Sequence, residues 1–252
     1  LLDNKWITVN DLKPEAKYRI FCFPYAGGSS SIYNSWYKHL PDDIELFSIE
    51  LPGRGRRISE PPIRNMNLLI RTMVKELLPY FKEKRFIFFG HSMGALISYE
   101  LAITLLNSEG ISPEKLFVSA HRAPHIPRVS SQTFKQSDEI LIQKLKELNG
   151  TAEVILNTPE LLDLILPIMR ADLELCETYK FNHSYPLPIP ITAFAGDSDK
   201  NVLIDSVTKW DDVTSDKFNL EIVKGDHFFI NEQSEEITKK IVELLSVQNY
   251  VK

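Results

Sequence analysis

The chain has 252 residues, 43% of them hydrophobic, which is enough for one α/β domain with a substantial core. Its formal charge of −5 argues against a general binder of nucleic acid or anionic membrane, because those partners reward clustered positive charge. Two cysteines, Cys22 and Cys176, are too few for a disulfide framework, and no window approaches the roughly 20 apolar residues that span a bilayer, so a soluble cytoplasmic protein is expected.

The first run rich in β-branched and aromatic residues, 18–23 (YRIFCF), reads as a strand. It leads into Pro24-Tyr25-Ala26-Gly27-Gly28-Ser29, where two glycines let backbone approach a ligand closely. A second strand is expected at 44–49 (IELFSI) and an amphipathic helix at 67–81. The next strand, 86–89 (FIFF), meets the helical pattern of 93–108 through Gly90-His91-Ser92-Met93-Gly94. That is a G-x-S-x-G nucleophile elbow: small residues two before and two after the serine allow a sharp turn that projects Ser92 from the strand end. The backbone N–H of Met93 then points where an oxyanion forms.

Beyond a strand at 115–119, the stretch from about 128 to 185 has helical patterns at 138–148 and 159–180 but no convincing strand, and it reads as an inserted helical lid. Pro186, Pro188 and Pro190 mark the return to extended backbone. Strands at 189–195 and 218–223 and a helix at 235–246 complete the pattern. The alternation predicts a mainly parallel sheet with helices on both faces, in one domain, with function at the carboxyl ends of the strands.

A serine hydroxyl is a poor nucleophile unless a base takes its proton and a carboxylate orients that base. In folds built around this elbow the chain order is serine, acid, histidine. Four histidines follow Ser92: His121 and His125 precede the insertion, His183 stands at its end, and His227 directly follows the last strand in Gly225-Asp226-His227-Phe228-Phe229. His227 is therefore the expected base. The acid is sought in Gly196-Asp197-Ser198-Asp199, where the chain leaves a strand; Asp199 is preferred, partly on the familiar hydrolase spacing of three residues after the turn glycine, with Asp197 as the alternative. The second oxyanion donor is expected from the loop after 18–23, at Ala26 N–H or, alternatively, Tyr25 N–H.

Taken together, 23–36 (FPYAGGSSSIYNSW), 50–57 (ELPGRGRR), 89–102 (FGHSMGALISYELA), 119–128 (SAHRAPHIPR), 170–179 (RADLELCETY), 194–202 (FAGDSDKNV) and 225–230 (GDHFFI) resemble the type II thioesterases of nonribosomal peptide and polyketide assembly lines. Those enzymes belong to the α/β-hydrolase superfamily. The resemblance implies a triad of Ser92, Asp199 and His227 with an oxyanion hole from Met93 and Ala26. It implies hydrolysis of acyl groups from the phosphopantetheine arm of carrier proteins, which would be the partner, with no metal or redox cofactor. Mis-primed or stalled units would be the substrates. A medium-chain fatty acyl thioesterase or a small-molecule carboxylesterase would share the triad, whereas a non-catalytic carrier-binding module would keep only the surface.

The chain departs from the family pattern at Ala95, where a third glycine is frequent, and at Asp226, where glycine commonly precedes the histidine. A carboxylate there is expected to favour the charged imidazole. Arg54, Arg56, Arg57, Arg122 and Arg128 fall in expected loops as solvated charge, some of it placed to meet a phosphate or an acidic carrier surface. The apolar residues Leu161, Leu162, Leu164, Ile165, Leu166, Ile168 and Met169 would line an acyl pocket or pack the lid onto the sheet.

Overall fold

The computed structural model describes residues 4–127, 132–148, 150 and 153–246. Among them the strands are β1 (Ile7–Thr8), β2 (Tyr18–Phe23), β3 (Ile44–Ile49), β4 (Arg85–His91), β5 (Leu116–Ser119), β6 (Ile191–Gly196) and β7 (Phe218–Val223). The helices are α1 (Met66–Glu83), α2 (Met93–Glu109), α3 (Asp138–Leu148), α4 (Glu153–Leu156), α5 (Pro159–Thr178), α6 (Ile204–Thr208) and α7 (Ser234–Ser246), with a 3-10 helix over Ser30–Lys38. The strands pair in the order β1-β3-β2-β4-β5-β6-β7. All neighbours from β3 to β7 are parallel, and β1 runs antiparallel to β3.

The two-residue period of a strand sorts side chains to opposite faces. Phe21, Phe23, Phe86 and Phe88 enter one core with α1 and α2, whereas Ile20, Cys22, Ile87 and Phe89 enter another with Tyr33 and Trp36 of the 3-10 helix and Ile237 and Ile241 of α7. Both faces of the sheet are thus covered, which is why β2, β3 and β4 read as mainly apolar runs, with Arg19, Glu45 and Ser48 buried among them. The sixth strand begins at Ile191 because Pro190 has no N–H for the ladder; its carbonyl instead accepts from Leu116 N–H at 3.0 Å. The sequence pattern gave no sign of β1, whose two residues are held by pairing with Ser48 and Ile49.

Between β5 and β6 the described residues form α3, α4 and α5 and no strand. Leu141 and Leu145 of α3 pack with Leu166 and Met169 of α5 in a small separate core, against which Ala26, Leu162 and Ile165 lie. Leu161 and Leu164 are exposed. Leu175, farther along α5, belongs instead to the main core beside α2.

Phe88 is fully buried and contacts Phe21, Phe23, Phe81 and Phe86 at the centre of the first core. Phe88→Ala is expected to lower unfolding free energy by about 3–5 kcal/mol in urea titrations followed by circular dichroism.

Candidate active site

At the end of β4 the chain turns into α2 through Ser92, whose φ of 52° and ψ of −116° are unusual for a residue with a side chain. Such a conformation stores roughly 1–3 kcal/mol and persists only where the surroundings enforce it. Enforcement comes from contacts that admit no Cβ. A side chain at Gly90 would strike the Gly94 carbonyl, and one at Gly94 would strike the Phe23 carbonyl at the end of β2. Ser92 N–H donates to Ser119 O at 2.7 Å, tying the elbow to β5, and Ala95 N–H donates to Ser92 O at 3.0 Å as α2 begins. The Ser92 side chain is half-buried and therefore reachable.

The loop after β7 brings His227 to this serine. His227 Nε2 lies 3.0 Å from Ser92 Oγ, and Nδ1 lies 2.7 Å from Asp199 Oδ2. The other Asp199 oxygen accepts the N–H groups of Asn201 at 2.7 Å and Val202 at 3.1 Å. Burial pushes the Asp199 carboxyl up, but the hydrogen bond and charge of His227 and the two backbone donors outweigh it and hold the group below the usual carboxylate value. Asp197, by contrast, is exposed and accepts Gly225 N–H at 3.0 Å, so it staples the β6 loop to the β7 loop and does not contact the imidazole.

The carbonyl of His227 is also held, by the ring of His91 at 2.8 Å. A carbonyl can only accept, so His91 Nε2 carries the proton and Nδ1 accepts the Ser119 hydroxyl at 2.9 Å. Complete burial, reinforced by the nearby His227, pushes the His91 pKa down to about 3. His91 is thus a neutral donor that fixes the height of His227 above the sheet. It had been read only as the variable residue of the elbow; the strand alternation that turns it inward toward the β7 loop was the available signal.

Phe23 pairs with Gly90 across β2 and β4, so the loop after β2 emerges beside the elbow. Gly28 N–H donates to Tyr25 O at 2.9 Å, and Gly27 has φ of 77°, the pattern of a type II turn with Ala26 at its second position. Met93 is the first residue of α2, and its N–H has no acceptor within the helix. The turn and the helix start thus flank the serine at one sheet edge.

The other histidines are engaged elsewhere. His183 Nε2 lies 2.8 Å from Glu100 Oε1, His125 lies 3.4 Å from Asp212, and His121 Nδ1 lies 2.6 Å from Arg122 O. Three further expectations change. Asp226 is exposed and accepts Phe228 N–H at 2.8 Å, so it shapes the turn instead of facing the imidazole. Arg54 and Arg57 are buried, not solvated: Arg54 pairs with Asp172, and Arg57 bonds Glu60 and lies over the Trp6 ring. Arg56 donates to Ile7 O at 2.6 Å and Arg122 to Ile126 O at 3.0 Å, while Arg128 lies outside the described residues.

A family model described as a thioesterase domain matches residues 18–245. The chain belongs to the thioesterase family. This thioesterase is 40% identical over 234 residues to gramicidin S biosynthesis protein GrsT of Aneurinibacillus migulanus, covering 93% of this chain and 91% of that protein. It is 35% identical to thioesterase PikA5 of Streptomyces venezuelae over 96% of this chain and 86% of that one. Among solved structures it is similar to the type II thioesterase BorB of the borrelidin cluster, with a TM-score of 0.85 and 33% identity, over 94% and 96% of the two chains. The thioesterase is accordingly a hydrolase acting on thioesters, with the α/β-hydrolase fold. Among its described residues no helix is long and apolar enough to cross a membrane.

Between pH 6.5 and about 3 the unfolded thioesterase binds a proton at His91 and the folded one does not, so stability falls as pH drops through that window. The slope from this group is about 1.4 kcal/mol per pH unit. His91→Phe is expected to flatten the pH dependence by that amount in denaturant titrations from pH 6.5 to 3.5; an unchanged slope would place the protonation elsewhere.

Proposed function

We propose that this thioesterase is an editing enzyme that removes acyl groups from the phosphopantetheine arm of carrier proteins in nonribosomal peptide or polyketide assembly, working in the cytoplasm as one domain whose insertion, about 128–185, serves as a lid. The observation that carries this reading is the chain of hydrogen bonds from Ser92 through His227 to Asp199 at the elbow. The roles of GrsT in gramicidin S biosynthesis and of BorB as a type II thioesterase support the carrier-bound substrate.

In the proposed mechanism His227 Nε2 accepts the Ser92 proton as Oγ attacks the thioester carbonyl. The imidazolium formed keeps its Nδ1–H on Asp199, whose ionised carboxylate stabilises the charge. The carbonyl electrons move onto oxygen, where the N–H groups of Met93 and Ala26 and the positive end of α2 receive them. Collapse of the adduct expels the pantetheine thiolate, which takes the proton from His227. A thiol of this type has a pKa of about 8.5, so the departing sulfur needs less help than an alcohol would. Water, deprotonated by His227, then attacks the acyl-serine and regenerates Ser92. Met169 and Leu166 of α5, packed beside Ala26, form the apolar wall nearest the acyl group.

Ser92→Ala is expected to abolish release of acetyl and longer acyl groups from loaded carrier protein, followed as loss of acyl mass. The wild-type enzyme should release them much faster than it cleaves acyl-pantetheine or simple esters. Turnover of free esters with intact acyl-carrier protein would refute the carrier reading. Asp199→Asn should lower kcat by about 10⁴-fold, as the wrong imidazole tautomer is then favoured, whereas Asp197→Asn should leave kcat within a few-fold.

A further inference from the structure

Arg54 follows β3 and Asp172 lies on α5, 118 residues later, yet their side chains meet where solvent is excluded, only 5% and 1% exposed. Arg54 Nη1 donates to Asp172 Oδ2 at 2.7 Å and Nη2 donates to Oδ1 at 2.8 Å, a two-pronged pair. Each partner has a second bond to the turn that carries Ala26. Asp172 Oδ2 accepts Gly27 N–H at 2.8 Å, and Arg54 Nη1 donates to Gly28 O at 3.1 Å. The two residues after Ala26 are therefore gripped once through a donor and once through an acceptor. Met169, three residues before Asp172, sets its sulfur where any side chain at Gly27 would collide. The turn is clamped by polar bonds from Asp172 of α5 and from Arg54 after β3, and by the packing of Met169 of α5.

A buried ion pair is a poor way to gain stability, since an apolar pair of similar volume is often as stable or more so. Its advantage is orientation: the planar guanidinium fixes a carboxylate in one geometry. Orientation is what an oxyanion donor needs, because its effect depends on lying within hydrogen-bonding distance of a charge that exists only in the transition state. We propose that Arg54 and Asp172 are positioning residues for the oxyanion turn, holding Ala26 N–H in place only while α5 is seated, so that transition-state stabilisation depends on the docking of the insertion. This inference rests on the reading of Ala26 N–H as an oxyanion donor.

Two variants of the full chain test it. Arg54→Lys keeps the charge beside Asp172 but loses the fork. The double variant Arg54→Met with Asp172→Leu removes both charges together and leaves neither one buried alone. Each is assayed with acetyl-loaded carrier protein for kcat and KM, with a pantetheine trifluoromethyl ketone that Ser92 converts to an oxyanion adduct, and by thermal melting. Both variants should show kcat lowered about 10- to 100-fold with KM within three-fold of wild type, because the lost bonds act on the transition state. Inhibition by the ketone should weaken by the same factor, and the pH–rate profile should keep its shape. A folded variant with wild-type kcat and ketone affinity overturns the inference, as does a loss confined to KM. Should the double variant not fold, Arg54→Lys decides. Ala26→Pro separates the underlying reading, since proline suits the second position of a type II turn but has no N–H. A wild-type rate in that variant removes Ala26 as donor and the inference with it; a slow Ala26→Pro beside fast Arg54 variants overturns the positioning role alone.

Discussion

Ser92 can stand at positive φ only because backbone packs against backbone on either side of it. The first turn of α2 touches the end of β2 at Gly94, and the end of β4 touches α2 at Gly90, with no room for a Cβ at either contact. These contacts fix three things together: the exposure of the hydroxyl, the direction of the α2 N-terminus and the distance to the loop after β2. Parallel pairing supplies the rest, since β2, β4, β5, β6 and β7 all end at the same edge and release their loops there. Relaxing the elbow by even one methyl group would move the Ser92 hydroxyl, the start of α2 and the loop after β2 relative to one another.

Around that fixed point, two histidines of different character are stacked. His91 is sealed in the sheet end and stays uncharged, so it serves as a rigid donor to the His227 carbonyl. His227 has its ring between a carboxylate and a hydroxyl, within hydrogen-bonding distance of both. Anchoring His227 by its backbone leaves its two ring nitrogens to Asp199 and Ser92, and the Asp197 bond to Gly225 braces the same loop from outside. His227 is therefore held by Ser92, His91 and Asp199 and its loop by Asp197, four residues from the two segments that end β4 and β6.

Most of the sheet was legible because strands covered on both faces are written as apolar runs, and β2, β3 and β7 match their expected bounds. The helices α3 and α5 were legible from spacing alone. The short β1 was not, because two residues carry no period and depend on a partner strand. Local turn chemistry and chain order pointed to Ser92, Asp199 and His227, and the fold brings these three side chains within hydrogen-bonding distance. Arg54 and Asp172 were missed for the opposite reason: charged residues in loops and on helices are ordinarily solvated, and nothing local announces a burial that depends on two segments 118 residues apart. Asp226 misled because adjacency in sequence was taken for adjacency of side chains, whereas the turn sends its carboxylate back to the Phe228 N–H.

The helix α5, which carries Pro167 inside it, is shared between two cores. Its middle residues Ile165, Leu166 and Met169 belong to the small core with α3, and Leu175 belongs to the main core. At 1.5 Å per residue, the 13 steps from Pro159 to Asp172 make an arm of about 20 Å beyond the Arg54 bond. A tilt of about 5° at the anchored end displaces the free end by about 2 Å, whereas the Gly27 bond beside the pivot hardly changes length. The geometry is that of a lever whose fulcrum lies beside Gly27, so movement at the distal end of α5 is compatible with a nearly stationary turn after β2.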